Sequence, residues 1–186
     1  MASFFELRHR VWKEMGYLSP EKECPQVPWE LDYTDRTSLP LGIFSKADGR
    51  LLGAARLVRG FGEDDPRQIR IIEDMLRLRN AANLVRNFRY PDSVAHPFDI
   101  LGELDKFKEY YRNLVLRGIS KAEVSRVVVD PDYRKLGFGE VIVDTVCSLA
   151  RSHGIPGLFL ACHRRHAAFY ERSGFSPIQG VAGQSS

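Results

Sequence analysis

One stretch of the chain combines residue types that could hold an anionic group: Val127-Val128-Val129-Asp130-Pro131-Asp132-Tyr133-Arg134-Lys135-Leu136-Gly137-Phe138-Gly139. Three consecutive β-branched residues read as a strand, and an apolar helical pattern resumes at Val141. Between them, Gly137 and Gly139 lack a Cβ, so the backbone can approach an anion and turn successive N–H groups towards one phosphate. The helix start adds its partial positive charge. Arg134 and Lys135 supply full charges, whose hydrogen bonds are worth about 1.5–3 kcal/mol each. The stretch has neither the GK[ST] ending of a nucleoside-triphosphatase loop nor the three-glycine dinucleotide fingerprint. It is therefore a phosphate cradle of another kind, or a glycine-rich turn with incidental basic residues. Glu123, at the start of the strand that leads into it, is either a carboxylate facing a cleft or an exposed edge charge. Cys162 and His163 invite comparison with a nucleophile–base pair. Neighbours on an extended segment point to opposite faces, however, which argues against that chemistry.

The elements that must position these groups follow from periodicity. Apolar Phe4, Leu7 and Val11 at helical spacing predict a helix over 3–15, stopped by Gly16. Leu41–Ser45 and Leu51–Val58 read as a hairpin turning at Ala47-Asp48-Gly49. Asp64-Asp65-Pro66 opens a helix with the stripe Ile69, Ile72, Met75 and Leu76, and a short helix is expected from Ala81 to Phe88. After a loop holding His96-Pro97, Leu104, Phe107, Tyr111 and Leu114 mark another amphipathic helix, closed by Gly118. Then come a strand at Val124–Val129, a helix at Val141–Arg151, a strand at Leu158–Ala161, a helix at Arg164–Ser173 and a last short strand at Phe175–Ile178. A hairpin, then helices, then β-α-β-α-β, predicts a mixed α/β sheet.

Composition narrows the class. With 186 residues and 44% hydrophobic content, residues 1–186 are expected to form one domain. No apolar run approaches the ~20 residues that span a bilayer, and charges interrupt the apolar residues of the opening segment, unlike a signal peptide. A cytoplasmic location is the default expectation. Three scattered cysteines suit neither a disulfide framework nor a zinc site, so no metal is expected. A net charge of +3 without a basic–aromatic module gives no indication of nucleic-acid binding. Arg67, Arg70, Arg77, Arg79, Arg86 and Arg89 form either a solvated helix face or a docking surface for an acidic partner.

Arg134-x-x-Gly137-x-Gly139 after a Val-rich segment resembles the coenzyme A-binding motif of GNAT N-acyltransferases. The resemblance implies a mixed, mostly antiparallel central sheet flanked by helices, and a donor pyrophosphate held by the loop Arg134–Gly139. Ala167-Ala168-Phe169-Tyr170-Glu171-Arg172-Ser173-Gly174-Phe175 is similar to that family's last helix, which implies that Tyr170 lies near the thioester sulfur. In that setting Glu123 is expected to take the amine proton and Tyr170 to protonate the departing thiolate. A backbone N–H on Val127–Val129 would polarise the thioester carbonyl.

The N-terminal half adds a narrower resemblance, to acyl-homoserine-lactone synthases and the related long-chain N-acyl amino acid synthases. Leu7-Arg8-His9-Arg10-Val11-Trp12 is similar to their Arg-x-x-x-Phe opening, with Trp12 in the aromatic place. Glu30-Leu31-Asp32-Tyr33-Thr34-Asp35 matches a Glu-x-Asp-x-x-Asp run, Arg56 their strand arginine, and Glu123-Val124-Ser125-Arg126 their Glu-x-Ser-Arg strand. The implied substrate-binding set is Arg8, Trp12, Asp32, Asp35, Arg56 and Arg126; the alternative is that Arg8, Asp32, Asp35 and Arg56 form a structural charge network. Two departures stand out: the segment from Arg56 to Glu123 is long, and the chain after Phe175 is short. The resemblance implies a medium or long acyl donor on coenzyme A or on acyl carrier protein, with Ile72, Met75, Leu76, Phe107, Tyr111 and Leu114 available to line a tunnel. The acceptor would be an amino acid or homoserine-lactone-type amine. An acetyl-coenzyme A-dependent N-acetyltransferase and a non-catalytic acyl-thioester-binding module are the other readings.

Overall fold

A computed structural model of the chain describes residues 1–20, 23–60, 62–91, 98 and 105–178, with 105 and 106 by backbone only. Helix α1 (Ala2–Glu14) buries Phe4, Phe5, Leu7 and Val11, and the chain leaves it through Gly16 at φ +71. Strands β1 (Ser38–Phe44) and β2 (Leu51–Val58) form the expected hairpin. β1 begins three residues earlier than the apolar pattern indicates. It runs through Pro40, which an edge strand tolerates because its missing N–H need not face a neighbour.

Helix α2 (Pro66–Leu78) is capped by Asp65, whose carboxylate accepts from the Arg67 and Gln68 amides. Helices α3 (Ala82–Phe88) and α4 (Asp105–Leu116) follow. The His96-Pro97 loop and Leu104 lie outside the described residues. Strand β3 (Lys121–Val129) leads through a short 3₁₀ turn at Pro131–Tyr133 to helix α5 (Phe138–Ser152), and β4 (Gly157–Phe159) to a 3₁₀ turn at Arg164–His166 and helix α6 (Ala167–Arg172). The sheet order is β1-β2-β3-β4, antiparallel except for the parallel pair β3–β4. This is the mixed α/β sheet that the order of elements predicts, mostly antiparallel and flanked by helices as the resemblance implies.

Two expectations are corrected. Phe175–Ile178 is not a strand: Gly174 turns the chain at φ +89 and Pro177 has no N–H to donate, so the segment packs through Phe175 and Ile178 instead of pairing. The helix expected over Arg164–Ser173 divides into the 3₁₀ turn and α6, and β4 stops at Phe159 short of Ala161.

The small residues Gly53 and Ala55 let α5 close onto the sheet, while Ala54 between them faces the opposite core. A Cβ at Gly53 would stand 2.6 Å from Ile142 Cδ1 and 3.1 Å from the Val128 carbonyl oxygen. Beneath α5, a core of Ala55, Leu57, Ala122, Val124, Ile142, Val146 and Ala150 forms one side of the sheet. On the other side, α1, α2 and α3 bury Phe5, Trp29, Ile72, Leu76, Leu84 and Phe88 with Val128. Each such large side chain is worth about 1.5–3 kcal/mol on full burial.

Candidate active site

β3 and β4 pair over only three positions, Lys121↔Gly157, Ala122↔Leu158 and Glu123↔Phe159, after which β3 runs on to Val129 while β4 ends. The diverging strands open a cleft of about 3160 Å³. Its walls include Glu123 to Val129 from β3, Phe159 to Cys162 from the β4 side, Tyr170 from α6, and Trp12 and Tyr17 from α1 and its exit. A pocket for one small molecule takes roughly 300–1,000 Å³, and this cleft is larger.

Glu123 sits where the strands part, with 5% of its surface exposed, and it lines the cleft. Tyr170 lines the same cleft; burial, with Cys162 adding, pushes its phenol up to about 12, so it holds its proton throughout the neutral range. Cys162 lines the cleft as well, and burial and Glu171 push its thiol up, away from the thiolate that a nucleophile would need.

The loop ahead of α5 has the form an anion cradle requires. Gly137 is at φ +83 with open space where a Cβ would project, and Lys135 is also left-handed at φ +65. No side chain caps the N-terminus of α5. Lys135, Leu136 and Gly137 are exposed, whereas Phe138 is half-buried with its ring 6.2 Å from that of Tyr133. At Gly139, by contrast, a Cβ would come within 3.3 Å of the Phe169 ring, which fixes how closely α6 approaches the loop. Arg134 lines the cleft and makes a bidentate pair with Glu14 at 2.7 and 3.1 Å. That pair is solvent-exposed, and such pairs contribute at most about 1 kcal/mol.

The N-terminal polar residues assemble into one ion network. Arg8, fully buried, donates to Glu30 and to Asp35. Arg56, also fully buried, donates to both oxygens of Asp32 at 2.8 and 2.9 Å and lies 2.9 Å from Asp35. Arg126 donates to Glu30 at 3.0 Å and to Asp32 at 2.8 Å, with its guanidinium 4.1 Å from the centre of the Trp12 ring. Three guanidinium groups meet three carboxylates, so the network is formally neutral, as buried charge must be. Burial raises the Asp32 and Glu30 carboxyls, but Arg56 and Arg126 outweigh it for Asp32, and Arg126 and Arg8 for Glu30. Both end below the usual range. Of the expected substrate-binding residues, Trp12, Asp32 and Arg126 line the cleft together with Glu30. Arg8, Asp35 and Arg56 lie buried behind that wall.

Sequence reasoning passed over Glu30 as a site residue, although its place two residues before Asp32 on an extended segment put both carboxylates on one side. It also missed the fully buried Asp130, which ties Arg10 at 2.6 Å and Arg50 at 2.8 Å to the end of β3. A residue before proline in a turn gave no sign of that role. Of the expected tunnel residues, Phe107 and Leu114 line the cleft, joined by Tyr110. Ile72, Met75 and Leu76 pack into the core with α1 and α3, and Tyr111 rests edge-on against Phe98.

Among solved structures, an acetyltransferase of Trypanosoma brucei superposes with a TM-score of 0.51 at 14% identity, covering 100% of this chain and 95% of that one. A tetramutant of the BH1408 protein of Bacillus halodurans gives 0.52 at 11% identity, covering 99% and 92%. The family model described as "N-acyl amino acid synthase FeeM" matches residues 94–184. The chain shares its fold with that trypanosomal acetyltransferase, and its residues 94–184 are similar to N-acyl amino acid synthases. A curated relative, glucosamine 6-phosphate N-acetyltransferase of Trypanosoma brucei brucei, is 34% identical over 58 residues. That match spans 31% of this chain and 40% of the relative. Among the described residues, no cluster of His, Cys, Asp and Glu could hold a metal ion, and no helix is long and apolar enough to cross a membrane.

Proposed function

We propose that the protein transfers a medium or long acyl chain from a pantetheine thioester, on coenzyme A or acyl carrier protein, to the amine of an amino acid or a homoserine-lactone-type acceptor. The observation that carries this reading is the splayed β3–β4 cleft, which has Glu123 and Tyr170 on its walls and the Arg134–Gly139 loop at the end of β3. The match to an N-acyl amino acid synthase model supports the amino-acid acceptor.

In this mechanism Arg134, Lys135 and the amides of Leu136 to Gly139 hold the donor's pyrophosphate at the start of α5. Glu123 takes a proton from the acceptor ammonium, directly or through a water, and frees the lone pair. The nitrogen attacks the thioester carbon, whose oxygen is polarised by a backbone N–H of Val127–Val129. As the C–N bond forms, the C–S bond breaks and Tyr170 donates its proton to the sulfur. The nitrogen, cationic once the C–N bond has formed, loses a second proton to solvent, and the proton on Glu123 returns through solvent to the phenolate, so one proton is released for each acyl group transferred. Trp12, Asp32 and Arg126 face the acceptor, backed by Arg8, Asp35 and Arg56.

The acyl chain would run past Phe107, Tyr110, Leu114 and Phe159, each buried methylene adding about 0.8 kcal/mol. The exposed arginines Arg67, Arg70, Arg79, Arg86 and Arg89 suit an acidic carrier, which would make association sensitive to salt. Cytoplasmic location fits a donor of that kind. One observation favours a second reading, acetyl transfer from acetyl-coenzyme A to a small amine: the 34% identity to a sugar-phosphate N-acetyltransferase. Specificity constants for acetyl, octanoyl and dodecanoyl donors, each on coenzyme A and on carrier protein, separate the two. Rising values with chain length are expected, and a preference for acetyl-coenzyme A would replace the first reading by the second.

A further inference from the structure

Helix α1 meets the segment that follows β3 through two ion pairs of opposite polarity. Arg10 donates to Asp130 at 2.6 Å. One helical turn further along α1, Glu14 accepts from Arg134 at 2.7 and 3.1 Å. The two rungs differ in strength. Asp130 is fully buried, and the Arg50 guanidinium reaches the same carboxylate oxygen at 2.8 Å. Removing a partner there would strand a buried charge, so that rung holds α1 to the end of β3. The Glu14 and Arg134 side chains are 44% and 36% exposed, so water can take the place of either partner.

The weaker rung engages the charge that a pyrophosphate at this loop would need. Arg134 lines the cleft just ahead of the uncapped start of α5, where Lys135 and Gly137 have left-handed backbones. Glu14 offers the Arg134 guanidinium two anionic oxygens in the fork geometry that a phosphate also offers. We propose that Glu14 is an internal anion that competes with the donor pyrophosphate for Arg134 and so sets donor affinity. The free protein holds Arg134 in place but neutralised, and the donor must displace Glu14 to gain the arginine. The buried Arg10–Asp130 rung keeps α1 in position while the outer rung exchanges. The competition rests on the donor loop of the function proposed above; the two ion pairs do not.

Calorimetric titration of coenzyme A into the parent protein, Glu14→Gln, Arg134→Gln and the double variant tests it. With its partner gone, Arg134 is free in advance, so Glu14→Gln should bind coenzyme A about three- to fivefold more tightly than the parent. Arg134→Gln should bind more weakly. Adding Glu14→Gln to that variant should change affinity by less than about 1.5-fold, because the carboxylate then has no arginine to withhold. Melting temperatures of Glu14→Gln and the parent, measured without coenzyme A, should agree within about 4 °C, as for an exposed pair. Parent-like or weaker binding by Glu14→Gln overturns the competition. Equal tightening with and without Arg134 also overturns it, since Glu14 would then act by its field alone. A Glu14→Gln melting temperature far below the parent's makes the pair a structural tie and overturns the exchange. If the parent itself binds no coenzyme A, the donor-loop reading fails and takes the competition with it, whereas parent binding that Glu14→Gln leaves unchanged sinks the competition alone.

Discussion

Glu123 and Tyr170 divide the proton chemistry, and each has a direct test. Glu123→Gln keeps the shape of the side chain but cannot take a proton, so kcat should fall roughly 10²–10⁴-fold while donor affinity is unchanged. Unchanged turnover across neutral pH would leave Glu123 a structural carboxylate. Tyr170→Phe should cost about 10²-fold in kcat, and the parent protein should show no alkaline limb from this phenol below about 12. The ion network makes a prediction in acid. Glu30 and Asp32 lie below their ordinary values of 4.5 and 3.8 in the folded state, so the unfolded chain binds more protons there. Their stabilisation is complete above those ordinary values and is lost as pH falls through them towards the depressed folded values. Melting temperature should therefore drop between about pH 5 and pH 3, and less steeply in Asp32→Asn; equal slopes would deny the network its role. Glu123 could be singled out in the sequence because a carboxylate opens a strand that ends in a glycine loop. The partners of Arg126 could not, because they come from residues 94 and 96 positions away.

At the scale of elements, the loop and the two helices that meet at it form one unit. Gly139 leaves room for the Phe169 ring, and Phe169 precedes Tyr170 on α6, so the cradle and the phenol are set by the same contact. Gly139→Val should push α6 away, destabilising the fold by about 1–3 kcal/mol and lowering kcat more than it weakens donor binding; thermal melts and steady-state kinetics read both. Gly137→Val acts differently. Space is open there, but φ is +83, so a β-branched residue distorts the loop and should weaken coenzyme A binding in calorimetry while the remaining fold persists. Parent affinity in that variant would remove the loop from the donor site. The helices and the hairpin were legible because their apolar periods and turn residues are local. A bulge in β3 was not: Val127-Val128-Val129 reads as uniform strand, and only pairing with β2 reveals the extra residue at Arg126.

For the whole molecule, the order of elements and the mixed sheet could be read from the sequence, while the cleft depends on where β4 stops. Leu158–Ala161 looked like a strand long enough to pair along β3. Pairing in fact ends at Phe159, whose ring meets Phe98 at 4.8 Å and Phe107 at 5.2 Å between centres. That aromatic cluster ties the end of β4 to α4, and the strands part beside it. The resulting cleft is where donor and acceptor must meet if acyl transfer is the activity. The most direct measurement incubates the protein with acetyl, octanoyl and dodecanoyl donors and an amino acid pool, following free thiol and product masses together. Acyl transfer predicts thiol release matched one for one by an N-acylated amine, greatest with the longer chains. Donor bound in the cleft with neither thiol nor N-acyl product formed from any of them would contradict it.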